Sequence, residues 1–231
     1  MSRTPLAAAL ILTSALLAHT ARAALIPVEN PGFEERPVEP GEQGGYYVSG
    51  PNGEVSGNLK GWLHPQWANV RVELKESDEN HVTGGEGRQF LLLYPWVKTK
   101  EGQVDGSQVW QILPDTTVQA GTYTLTVSAG YAGKLWHVKA DARFSLETSN
   151  GDSVSPVFTE LAGCTVNLEE RWRNNEQPKD TLEDFFLKVE IPAGSPRIGE
   201  QLVIRLSSNS NDDTDDNIAF DNVRLDFQPL R

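Results

Sequence analysis

The sequence predicts an all-β protein, a two-sheet antiparallel β-sandwich of the jelly-roll kind, on three observations. Twenty glycines and fourteen prolines interrupt the chain so often that few stretches could hold a helix of ordinary length. Between these breakers, β-branched and aromatic residues recur with a period of two. Ten or more such short runs follow one another, as a double-sheet sandwich requires.

The chain opens with Arg3 and an almost wholly apolar run from Leu6 to Leu17, closed by Ala21-Arg22-Ala23, a small-x-small pattern that a signal peptidase accepts. Residues 1–23 are therefore expected to be a signal peptide cleaved after Ala23, and 24–231 a single β-sandwich domain secreted to the periplasm or the extracellular space. The apolar run falls short of the ~20 residues needed to cross a bilayer, so no membrane span is expected.

Strands are expected at 25–28 and 46–49, then at 70–74, where Val70, Val72 and Leu74 alternate with polar residues. Continuous apolar strands follow at 90–93 and 109–113. The clearest alternation lies at 122–129, with Tyr123, Leu125, Val127 and Ala129 on one face and Thr122, Thr124, Thr126 and Ser128 on the other. Further strands are expected at 142–148, 156–165 and 185–191, through Leu202, Ile204 and Leu206, and through Val223, Leu225 and Phe227. A short helix fits 168–175. The stretch 209–217, NSNDDTDDN, has no apolar residue and reads as an exposed loop; it lacks the central Gly and final Glu of an EF-hand loop.

Loss of residues 1–23 removes Arg3 and Arg22 but no acid, taking the formal net charge from −12 to −14. Such a charge repels nucleic acid and anionic lipid, and keeps an exported domain soluble. The single cysteine, Cys164, excludes an internal disulfide, and with no histidine within 25 residues it reads as a small buried side chain, not a nucleophile. No repeat or linker divides the mature chain, so one domain, acting as a monomer, is expected.

Two segments bracket this domain, Val28-Glu29-Asn30-Pro31-Gly32-Phe33-Glu34 and Ile218-Ala219-Phe220-Asp221-Asn222-Val223-Arg224-Leu225. They resemble the N-x-x-F-E and F-D-N-V-x-L motifs of jelly-roll carbohydrate-binding modules, the calcium-containing CBM 4/9/22-like group with a galactose-binding-like fold. Gly61-Trp62, and Gln111 followed by Ala120-Gly121-Thr122-Tyr123-Thr124-Leu125, resemble further motifs of that group. The resemblance implies a structural calcium tying the two ends of the domain together, with Glu34 and Asp221 among its ligands and Glu35 as an alternative to Glu34. On alternation alone, Asp221 shares a face with Val223, Leu225 and Phe227, the core face. A carboxylate there must be paired with Lys or Arg, hydrogen-bonded by backbone amides, or bound to a metal.

Sugar binding relies on aromatic platforms with a few placed polar groups. Trp62 and Trp110 read as core. Trp96, Trp136, Trp67, Trp172, Tyr46 and Tyr47 lie in polar, Gly- or Pro-rich surroundings and are the candidates for a polysaccharide- or glycan-binding face. The sequence carries no G-x-S-x-G elbow, H-E-x-x-H, zinc-type Cys/His spacing or phosphate loop. His64, His81 and His137 stand isolated and read as surface or loop residues. The expected function is thus a secreted, non-catalytic carbohydrate-binding module stabilised by calcium. The alternatives are an adhesion or surface-matrix module binding protein partners, and a jelly-roll polysaccharide lyase or hydrolase, whose paired acids leave no fixed mark in sequence.

Overall fold

The structure, a computed structural model, describes residues 23–35, 59–64, 69–76, 81–94, 107–132, 140–149, 157–210 and 217–230. Among them run ten strands: β1 Ala24–Ile26, β2 Asn69–Leu74, β3 Gln89–Tyr94, β4 Gln108–Thr117, β5 Gly121–Tyr131, β6 Ala140–Ser149, β7 Phe158–Asn167, β8 Glu183–Ile191, β9 Gln201–Ser210 and β10 Ile218–Pro229. One helix, α1 Leu168–Arg173, joins β7 to β8. Asn167 caps it, its side chain accepting from Glu170 N at 2.8 Å.

The strands form two antiparallel sheets. One has the order β2-β3-β10-β5-β8 with β1 added along β10; the other is β4-β9-β6-β7. This is the jelly-roll sandwich that the spacing of strands and breakers predicts. Strand β10 holds it together, pairing with β3 at its start, with β5 along its length and with β1 near its end.

The core lies between the sheets. It takes Tyr123, Leu125, Val127 and Ala129 from β5, Val70 and Val72 from β2, Phe144 and Leu146 from β6, and Leu202, Ile204 and Leu206 from β9. Trp62 plugs it at 1% exposure, its ring 5.6 Å from that of Phe33. A smaller cluster of Val82, Phe90, Leu92, Ala132, Leu182 and Ala219 sits on the outward face of the larger sheet. There the segments around Thr83 and Thr181 bridge to each other and cover it.

Three expectations are corrected. Asp221 is fully buried, but not on the core face. The register of β10 against β5 shifts between Asp221 and Arg224, and Asn222 takes φ 51°. This bulge breaks the alternation, so Asp221 pairs with Ser128 on the outward side while Phe220, Val223 and Leu225 enter the core. Trp110 is not core either. Val109 and Leu113 point inward, which turns Trp110 to the outward face of its sheet. His64, read as a surface residue, is 3% exposed.

Candidate functional site

Strict alternation in the four-stranded sheet sends Val109, Phe144, Leu146, Ile204 and Leu206 to the core and their neighbours outward. Trp110, Arg205 and Ser145 therefore stand side by side on the outward face, as successive partners across β4, β9 and β6, with Glu147 two residues further along β6. An outward face is ordinarily wet, yet Ser145 is 2% and Glu147 3% exposed.

The cover comes from aromatic rings. β4 and β7 are opposite edges of the sheet, three strand steps apart, about 14 Å at the usual spacing. Even so, the rings of Trp110 on β4 and Phe158 on β7 meet edge to face at 5.5 Å. They reach over the sheet from both sides, and the Arg205 guanidinium lies 4.8 Å from the Phe158 ring centroid beneath.

Under this roof Glu147 is held on two sides. Ser145 Oγ donates to its Oε1 at 2.7 Å, and Arg205 Nη2 stands 2.8 Å from its Oε2. The second contact is a charge contact whose angles fall short of a hydrogen bond. Among the described residues, Glu147 Oε2, Arg205 Nε and Trp110 Nε1 are buried without a hydrogen-bond partner. Two donors, Arg205 Nε and Trp110 Nε1, are thus buried on this face without an acceptor, each costing about 1–3 kcal/mol while unpaired.

A second cluster surrounds the two acids named as calcium ligands. Asp221 Oδ2 accepts from Lys75 Nζ at 2.7 Å and Glu86 N at 2.8 Å, and Oδ1 from Asn222 N at 2.7 Å. Burial pushes the Asp221 carboxyl up to about 6, against the pull of Lys75 and the two amides; above that pH a carboxylate faces an ammonium. Glu34 Oε1 accepts from Arg88 N at 2.5 Å and Gln89 N at 2.6 Å. Both acids thus reach one segment, 85–89, whose close approach requires glycine. Gly85 and Gly87 have φ +64° and +66°, and a Cβ on either would overlap Asp221 Oδ2 or Glu34 Oε1. Glu35 points elsewhere, to Lys60 Nζ at 2.5 Å. Among the described residues no group of three or more His, Cys, Asp or Glu is placed to hold a metal ion.

Of the six aromatic residues nominated for ligand contact, Trp172 lies on α1, 41% exposed, beside a shallow notch with Tyr131 and Gln177, far in sequence from the Trp110 face. Trp96, Trp136, Trp67, Tyr46 and Tyr47 lie outside the described residues. Trp110 reads from the sequence as core, and Phe158, Glu147 and Arg205 are not among the candidates the sequence offers. A signal existed in β6, where the acid of RFSLET falls in phase with Arg143 and Ser145, opposite to Phe144 and Leu146.

Residues 24–226 match the family described as HpiC1-like, HpiC1 cyclase. Among solved structures, the Stig cyclase Fisc from Fischerella sp. TAU in complex with (3Z)-3-(1-methyl-2-pyrrolidinylidene)-3H-indole has 23% identity and a TM-score of 0.63, over 91% of this chain and all of that one. A cyclase from the same organism in complex with 4-(1H-indol-3-yl)butan-2-one has 23% identity and a TM-score of 0.63, over 90% of this chain and all of that one. The CBM22-1 xylan-binding domain from Paenibacillus barcinonensis has 14% identity and a TM-score of 0.42, over 74% of this chain and 88% of that one. No curated protein matches in sequence. The jelly-roll fold implied by the terminal motifs stands. The non-catalytic carbohydrate-binding module does not: the family matched over residues 24–226 is one of cyclases, which are enzymes.

Proposed function

Because the chain belongs to the HpiC1-like cyclase family, we propose that it is an enzyme that closes a ring in a small aromatic substrate of the indole kind, on the outward face of β4, β9, β6 and β7. The observation that carries this reading is a buried polar cluster at the Trp110 and Phe158 rings, in which the donors Trp110 Nε1 and Arg205 Nε have no acceptor and stand beside the Glu147 carboxylate, whose Oε2 faces Arg205 Nη2 at 2.8 Å. The indole compounds held by the Fischerella cyclases support the substrate class.

Ring closure joins two atoms of one molecule, so the protein's first task is to hold a flexible substrate bent, with those atoms in contact. A flat ring stacked on Trp110 or Phe158 is fixed in plane. The carboxylate of Glu147 accepts the ring N–H and stabilises positive charge as it develops on the ring, in a site already shielded from water. Ser145 and Arg205 keep that carboxylate from rotating away. Arg205 Nε and Trp110 Nε1 donate to the polar end of the substrate.

A closure that loses no atoms yields an isomer, of unchanged mass and altered retention time. The test is therefore incubation of the chain with an indole bearing an unsaturated side chain, followed by chromatography with mass detection. The reading expects an isomeric product that falls at least about a hundredfold in Glu147→Gln, the scale of a lost acid–base or charge-stabilising group. A product rate equal to that of the wild type in both Glu147→Gln and Trp110→Ala would refute the site. Export is part of the same proposal: the mass of the chain recovered from outside the cytoplasm should begin at Ala24, and a retained leader would exclude cleavage there.

A further inference from the structure

We infer that the ammonium of Lys75 occupies the position that the terminal motifs assign to calcium, so that the ends of the domain are clasped by a cation built into the chain. Lys75 follows β2 directly, and its backbone is fixed on both sides, Lys75 N donating to Arg88 O at 2.8 Å and Val82 N to Lys75 O at 2.8 Å. Its side chain is 9% exposed and runs inward to three oxygens: Glu86 O at 2.5 Å, Asp221 Oδ2 at 2.7 Å and Gly87 O at 3.4 Å. An ammonium has three N–H donors, and here each has an acceptor.

These are the ligand types of a calcium cage, one carboxylate of β10 and two backbone carbonyls, but they surround nitrogen. Calcium asks for six to eight oxygens at about 2.3–2.6 Å. Here Asp221 already takes two amides besides Lys75, and Glu34 turns its Oε1 to the amides of Arg88 and Gln89. A divalent ion beside Asp221 would also stand against the Lys75 charge in surroundings of low dielectric.

The segment 85–89 is consequently tied twice. It donates to Glu34 near the start of the domain and to Asp221 in its last strand, while Lys75 draws its carbonyls onto that same strand. Pro31 O accepting from Val223 N at 3.0 Å completes the contact between the two ends. The N-P-G-F-E and F-D-N-V segments are thus drawn together around segment 85–89, with a lysine supplying the positive charge.

The test is the melting temperature of the full chain, in calcium and in chelator, for wild type, Asp221→Asn and Lys75→Met. A metal bound only to the folded state raises the melting temperature. The inference expects wild type and Asp221→Asn to respond to calcium by the same amount, because no calcium is held by Asp221. It expects Lys75→Met to melt about 10 °C below wild type, since it leaves a buried carboxylate unpaired. A calcium-dependent rise that is present in wild type and lost in Asp221→Asn would overturn it, as would a Lys75→Met variant that melts with wild type. Should either variant fail to fold, Glu34→Gln gives the same comparison: an unchanged calcium response upholds the inference and a lost response overturns it.

Discussion

Replacing Gly85 by alanine probes the closure without touching any charge. Gly85 has φ +64°, and a Cβ there would overlap Asp221 Oδ2. Placing an L-residue in the left-handed region costs about 1 kcal/mol. Relieving the overlap moves either the segment or the carboxylate and breaks the 2.8 Å bond from Glu86 N to Asp221, a hydrogen bond to a charged group that contributes about 1.5–3 kcal/mol. Together these come to about 2.5–4 kcal/mol, and for a chain of this size each kcal/mol lowers the melting temperature by about 2–4 °C. Gly85→Ala should thus melt about 10 °C below wild type in a thermal scan followed by far-ultraviolet circular dichroism. Gly194, around which a Cβ would meet nothing within 4 Å, is the control, and Gly194→Ala should melt within about 2 °C of wild type. Equal melting temperatures for the two variants would refute the packing described around Asp221.

Trp62→Ala empties the largest fully buried side chain among the described residues and should cost about 3–5 kcal/mol, seen as a loss of ten degrees or more in the same scan; a small shift would mean that the region around Phe33 collapses to fill the space. Burial pushes the Cys164 thiol up against a smaller downward pull from Arg143, so little thiolate forms near neutral pH. Cys164 is only half-buried, short of the buried side chain expected from sequence; alkylation by iodoacetamide should still be slower in the folded chain than after denaturation, and equal rates would contradict that partial burial.

The fold was legible because its signals are local. The alternation of Tyr123, Leu125, Val127 and Ala129 against threonines and serine marks a half-buried strand whatever lies around it, and β5 is where that pattern places it. Asn167 before Leu168 likewise marks the start of α1. Asp221 shows where local signals end. Its phase relative to Val223 is a fact of the sequence, but the bulge that reverses it arises from the register of β10 on β5, a property of two strands about a hundred residues apart.

The candidate site was hidden for a similar reason. Trp110 lies in the apolar run VWQIL, and nothing local tells that alternation turns it outward and that the sheet brings it against Phe158 from the opposite edge. Glu147 reads from sequence as one more surface acid; its burial depends on Arg205 from β9 and on the rings above it. The motifs that were legible, NPGFE and FDNV, concern the closure of the sandwich, so they led to the fold and to Lys75 but away from the proposed site around Trp110.

A crystal structure of the chain soaked with 4-(1H-indol-3-yl)butan-2-one tests the placement of the site most directly. The account predicts the indole ring stacked on Trp110 or Phe158, with a polar atom within hydrogen-bonding distance of Glu147 Oε2 or Trp110 Nε1. An indole bound elsewhere, against Trp172 for example, with the Trp110 face empty, would contradict it.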